Sequence, residues 1–192
     1  MPRLPIPADT DEFSDETRAA VRHILATRNS MPPPSSYLTY AGEAGARLSD
    51  LVDHLRNRTS LTPAESELAI IVANRAANAD FIWNAHVKLG LAAGMREEAI
   101  HAVDTYGPLD DLTEDEALII QFGRELLETP AVRDQTFDAV RKRYGEAGLL
   151  ELTAVMSVYI MNATILRVME HKAAPEARHL TPRSSKENIT NA

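Results

Sequence analysis

The sequence predicts an all-α protein. Helix-opening signals recur from end to end, the composition is rich in Ala and Leu with only 5% aromatic residues, and neither βαβ alternation nor a phosphate-cradling glycine motif appears. At 192 residues, with 44% apolar, the chain suits one domain with extended ends and a core of Ala, Leu, Ile and Val.

The elements follow in order. Ser14, followed by Asp15 and Glu16, is an N-cap with acids at the positive end of the dipole, opening a helix to about Arg28. In MPPPSS three prolines predict a complete break, after which a second helix is expected from about Ser36 to Arg56. LTPAESE carries Thr62 as N-cap, Pro63 at the first helical position and Glu65 closing a capping box. The stretch NADFIWNAHVKLGLAAG alternates apolar residues as a strand would. Its length, its Ala and Leu content and its few β-branched residues outweigh the alternation, predicting a helix over Ala79–Ala93. Asp80 and Gly94 are its expected caps, and its nearly all-round apolar surface predicts burial.

MREEAIHAV is a short helix closed by Gly107 and Pro108. Leu112, Thr113 and Glu116 then repeat the offsets of Leu61, Thr62 and Glu65, suggesting repeated helical hairpins. RDQTFDAVRKRYG is an amphipathic helix ending at Gly145, and EAGLLELTAVMSVYIMNATILRVME is long, apolar and central. From Ala173, two prolines and mixed polar residues predict a tail that is flexible or draped on a neighbour. The expected organisation is an N-terminal helix and Pro-rich linker over 1–35, a helical domain over 36–170 and a tail over 171–192.

Composition excludes several functions. A net charge of −8 argues against nucleic acid as a partner. There is no run of about 18 apolar residues, so no membrane span is expected. The first residues lack the apolar core of a secretory signal, so a cytoplasmic location is expected. With no cysteine, the chain has no disulfide, thiolate nucleophile or sulfur-ligated metal.

On helical wheels, Asn74 and Asn78 lie within about 20° of the direction of Glu67, and His86 shares a face with Ala79, Ile82, Gly90 and Ala93. A hairpin turning near Asn78 would bring together one carboxylate, one imidazole and two amides in an apolar setting suited to proton transfer. Bland readings stand beside this one. His86 can be a hydrogen-bonded core residue, Glu67 an early-turn acid on the dipole, and Trp83 simple packing. Glu97, Glu98 and His101 form a solvated face, and no two histidines sit at metal-ligand spacing.

The segment LTPAESELAIIVANRAANADFIWNAHVKLGLAAGMREEAI resembles the carboxymuconolactone decarboxylase and alkyl hydroperoxidase D superfamily, and the likeness extends over roughly 36–169. The resemblance implies an alkyl hydroperoxidase D-like fold of about six to eight helices, assembled as a homotrimer or homohexamer with sites near subunit contacts. In the peroxidase branch a C-x-x-C-x-x-x-H motif works with a glutamate nineteen positions before the histidine. Here His86 and Glu67 keep that spacing, while Ala79 and Ile82 stand at the cysteine positions, so thiol peroxidase chemistry is impossible. In the cysteine-free branch the pattern E-W-x-x-H is common; Trp83 and His86 match, and Ile82 replaces the glutamate.

These readings lead to a cofactor-free lyase or isomerase acting on a small organic acid or lactone. His86 would be the general acid/base and Glu67 its orienting or relaying partner, with Trp83, Asn74, Asn78 and Arg75 binding substrate and no metal. The alternative is a non-catalytic oligomeric binding or scaffold protein whose site has decayed.

Overall fold

The computed structural model describes residues 2–28 and 30–182, and expectations falling on 183–192 lie outside the described residues. Eight α-helices follow one another among the described residues: α1 (Asp15–Thr27), α2 (Pro33–Leu38), α3 (Gly42–Asn57), α4 (Pro63–Ala76), α5 (Asp80–Ala92), α6 (Glu97–Thr105), α7 (Glu114–Glu128) and α8 (Asp134–Val168). No strand occurs among the described residues.

Side-chain caps set three of the described helix starts. Ser14 accepts from the Thr17 N–H, and Thr62–Glu65 and Thr113–Glu116 each form a complete capping box. The proline-rich segment departs from expectation. Pro33 and Pro34 occupy the first turn of α2, where the missing N–H groups would have had no helical partner. The single helix expected over Ser36–Arg56 is divided instead by a 3-10 turn at Thr39–Ala41 and by Gly42 at φ +57°. Just beyond, Gly45 brings α3 against the backbone of α2. A Cβ at Gly45 would lie 1.7 Å from the Leu38 carbonyl oxygen, so only hydrogen fits.

α4 is the hub, buried along Ser66–Arg75 and packed against α5, α7 and α8. Leu68, Ile70, Ile71, Trp83, Ile100, Ile119, Leu152 and Met156 fill the centre. α8 turns at Gly145 (φ 70°, ψ −179°), where the sequence separated two helices. By length and composition alone α8 is apolar enough to cross a membrane, but it packs against α2, α3, α4 and α7.

α5 is less buried than its composition suggested. Ile82, Trp83, His86, Val87 and Gly90 face inward, whereas Leu89 and Leu91 are 42% and 38% exposed. Nor does Asp80 cap the helix. Its carboxylate accepts from the Leu180 N–H at 2.8 Å and pairs with His179. The described tail is therefore docked on its own chain. The Arg178 N–H donates to Asn84, the Arg178 guanidinium meets Glu97, and Thr181 meets Asp104.

At the α7–α8 corner, buried Glu125 accepts from the Arg133 backbone and guanidinium, Gln121 and Thr136. Burial pushes its carboxyl up, but these donors outweigh burial and bring it to about 2. A carboxyl lowered on folding stabilises above its ordinary 4.5, and that contribution is lost as pH falls toward 2. Two outcomes follow. Gly45→Ala should cost about 3 kcal/mol in urea unfolding, since the methyl meets backbone that cannot yield. Glu125→Gln should cost about 1–3 kcal/mol at neutral pH and flatten the pH dependence of unfolding between 4.5 and 2.

Candidate functional site

The capping box that starts α4 places Glu67 on its inner face, and Asn78 (φ 51°) turns the chain so that α5 returns alongside. One turn beyond His86, Gly90 lets the two helices approach closely, since an added Cβ would stand 2.2 Å from Met95 Cε and 3.4 Å from Glu67 Cβ. The result is a direct contact. His86 Nδ1 lies 2.6 Å from Glu67 Oε2, with both residues buried. A carboxylate only accepts, so Nδ1–H donates, and the opposite nitrogen, Nε2, carries the lone pair.

The other oxygen of Glu67 belongs to α3. Arg56 donates to Oε1 from Nε at 3.2 Å and Nη2 at 2.9 Å. Burial pushes the Glu67 carboxyl up, but the His86 hydrogen bond and the charge and hydrogen bonds of Arg56 outweigh it and hold the carboxyl below its usual range. Glu67 therefore stays ionised and accepts from the imidazole at Nδ1.

Beside the imidazole is a cavity of about 160 Å³, walled by residues from α2, α3, α5 and α8. Its apolar sides include Pro34, Val52, Phe81 and Ile82, and His86, Tyr159 and Asn162 supply polar groups. Tyr159 meets His86 edge-on, with ring centroids 4.9 Å apart. Arg28 also lines the space but is committed, donating to the Ser49 carbonyl and to Ser35 Oγ and lying 3.5 Å from Asp53.

The sequence-derived candidates separate here. Glu67 and His86 come together. Trp83 is fully buried in the core and is not part of the cavity wall. Asn74 is equally buried but away from the cavity, and neither of its side-chain polar atoms has a hydrogen-bond partner among the described residues. Arg75 points elsewhere, its guanidinium 4.9 Å from the centre of the Tyr106 ring. Asn78 borders a separate cavity of about 380 Å³ beside His171. The reading missed Arg56, Tyr159 and Asn162. A signal existed for the last two, polar residues three apart in an otherwise apolar helix.

We expect Arg56→Met to raise the Glu67 carboxyl pKa, because it removes a cation and two donated hydrogen bonds. Carboxyl ¹³C NMR titration reads the shift.

The family described as Carboxymuconolactone decarboxylase matches residues 42–105, spanning α3 to α6 and including both Glu67 and His86. A crystal structure described as an alkylhydroperoxidase AhpD core, an uncharacterized peroxidase-related protein from Ralstonia eutropha JMP134, superposes with a TM-score of 0.70. The two share 15% identity over 91% of this chain and 93% of that one, a likeness of fold. No curated protein matches by sequence.

Proposed function

We propose, taking as premise the chain's likeness to the carboxymuconolactone decarboxylase family and its AhpD-like fold, that it is a cofactor-free lyase or isomerase. Its substrate would be a small organic acid or lactone. The observation that carries the reading is the buried 2.6 Å pair of Glu67 and His86, with the imidazole at the wall of a cavity. An ionised carboxylate on Nδ1 fixes the tautomer that leaves Nε2 basic, and it stabilises the imidazolium formed when Nε2 takes a proton. The same nitrogen then returns the proton to the carbanion or enolate left by loss of CO₂ or of a proton. Apolar side chains in the lining reduce the water that competes for it.

This chain holds no cysteine, so thiol peroxidase chemistry is no part of the proposal. Trimeric or hexameric assembly belongs to it. Leu89 lines the cavity yet is 42% exposed, so a subunit seated there would seal the site. A cytoplasmic location accompanies this reading, as does the absence of nucleic-acid and membrane partners, in keeping with the net charge of −8. One observation favours the competing scaffold reading: Ile82 walls the cavity where the resemblance leads one to expect a carboxylate.

The test is a screen of lactones and β-keto acids read by mass spectrometry. His86→Gln should abolish turnover of any hit while leaving melting temperature and oligomer size unchanged. Turnover equal to that of the unsubstituted protein would end the acid–base mechanism.

A further inference from the structure

The charges around the cavity are already spoken for. Arg56 is spent on Glu67, and Arg28 on Asp53, Ser35 and the Ser49 carbonyl. Two cations face two carboxylates, so a substrate carboxylate would enter beside Glu67 and Asp53 with no uncommitted guanidinium to receive it. What remains uncommitted is neutral. Asn162 is 4% exposed, lines the cavity, and has an Oδ1 with no hydrogen-bond partner among the described residues. Tyr159, one helical turn earlier on the same face, has no hydrogen bond to its hydroxyl among them either. Burial raises its phenol, so it keeps its proton and can donate. The space of about 160 Å³ is close to that of an engineered cavity that holds benzene, which sets the ligand at roughly six to eight heavy atoms.

We propose that the cavity takes a small neutral carbonyl compound, a lactone or conjugated ketone, whose carbonyl oxygen is held by the Tyr159 hydroxyl and the Asn162 amide while His86 moves a proton at the adjacent carbon. This rests on the acid–base reading of His86 and narrows it to a neutral carbonyl compound rather than an acid, and to isomerisation rather than loss of CO₂. Oδ1 and Nδ2 exchange by a half-turn of the amide, which can therefore present N–H to the carbonyl. His86 Nε2 takes the proton of the α C–H bond, whose electron pair becomes the enolate double bond. The negative charge moves to the oxygen between the two donors. Return of the proton to the α carbon gives exchange with solvent, and its return to the γ carbon of an unsaturated lactone moves the double bond. Atoms and electrons balance with no co-reactant.

The test is deuterium exchange and double-bond migration followed by ¹H NMR in D₂O. The substrates are a small β,γ-unsaturated lactone and the carboxylate made by opening it. The lactone should exchange faster than its non-enzymatic background, and the carboxylate should not. Tyr159→Phe, which keeps the ring packed on His86, should lower kcat by about a hundred- to a thousand-fold with KM changed far less. Asn162→Leu should lower kcat by about ten-fold. Both variants should melt like the unsubstituted protein. A carboxylate that exchanges faster than the lactone overturns the proposal, as does a lactone that never exceeds background. So do Tyr159→Phe and Asn162→Leu variants that both run at the unsubstituted rate while His86→Gln is inactive, a pattern that leaves the acid–base reading intact. Exchange that persists in His86→Gln removes both.

Discussion

A carboxylate buried in a helical core must find partners or lose its charge, and Glu67 finds one on each oxygen. Arg56 comes from the end of α3 and His86 from the middle of α5, so one ion ties three helices at a point. The imidazole is oriented because the carboxylate is ionised, and the carboxylate is ionised because the guanidinium and the imidazole N–H outweigh its burial. Removing any of the three leaves a buried group with an unmet demand, a larger cost than the bond itself. The cavity adjoins the same knot, because His86, bonded to Glu67 through Nδ1, forms part of its wall.

That arrangement separates positioning from chemistry. Glu67 and Arg56 hold the imidazole, and a base fixed in that way, as proposed here, would state no preference among substrates. On the proposed reading, preference comes from the rest of the lining, where α8 contributes Tyr159 and Asn162 and α5 contributes Phe81 and Ile82. Ile82 is an example. At that position a carboxylate would bring another negative charge beside His86, and the isoleucine instead extends the apolar lining. Phe81 also borders the larger cavity beside His171, so it is the partition between the two spaces.

What could be read from the sequence was whatever depends on near neighbours. Capping boxes at Thr62 and Thr113 involve residues three apart, and both formed as written. The Glu67–His86 spacing crosses a single hairpin, short enough for wheel geometry and the family resemblance to bring the two together. Wheels give direction without depth. Asn74 shares the direction of Glu67 but sits about 10 Å further along the axis, two turns away from the cavity. Arg56 was invisible because its meeting with Glu67 depends on how α3 returns across α4, a tertiary event with no local pattern. The proline-rich segment misled for a related reason. Prolines end a helix from inside but are harmless in its first turn, and composition alone does not say which place they hold.

The sharpest conflict in the sequence was a histidine within an alternating apolar stretch, where periodicity favoured a strand. Helix α5 resolves it by using only one stripe for burial and leaving Leu89 and Leu91 largely outside. On a two-sided strand, His86 and Trp83 would have projected to opposite faces. On the helix, both turn inward at different depths, Trp83 into the core beneath and His86 toward the cavity. Gly90 completes the arrangement by its lack of a side chain, which lets Met95 and Glu67 close against α5 just beyond the imidazole. The alternation that looked like a strand is thus what a helix shows when its buried stripe must hold a polar group and its outer stripe remains apolar.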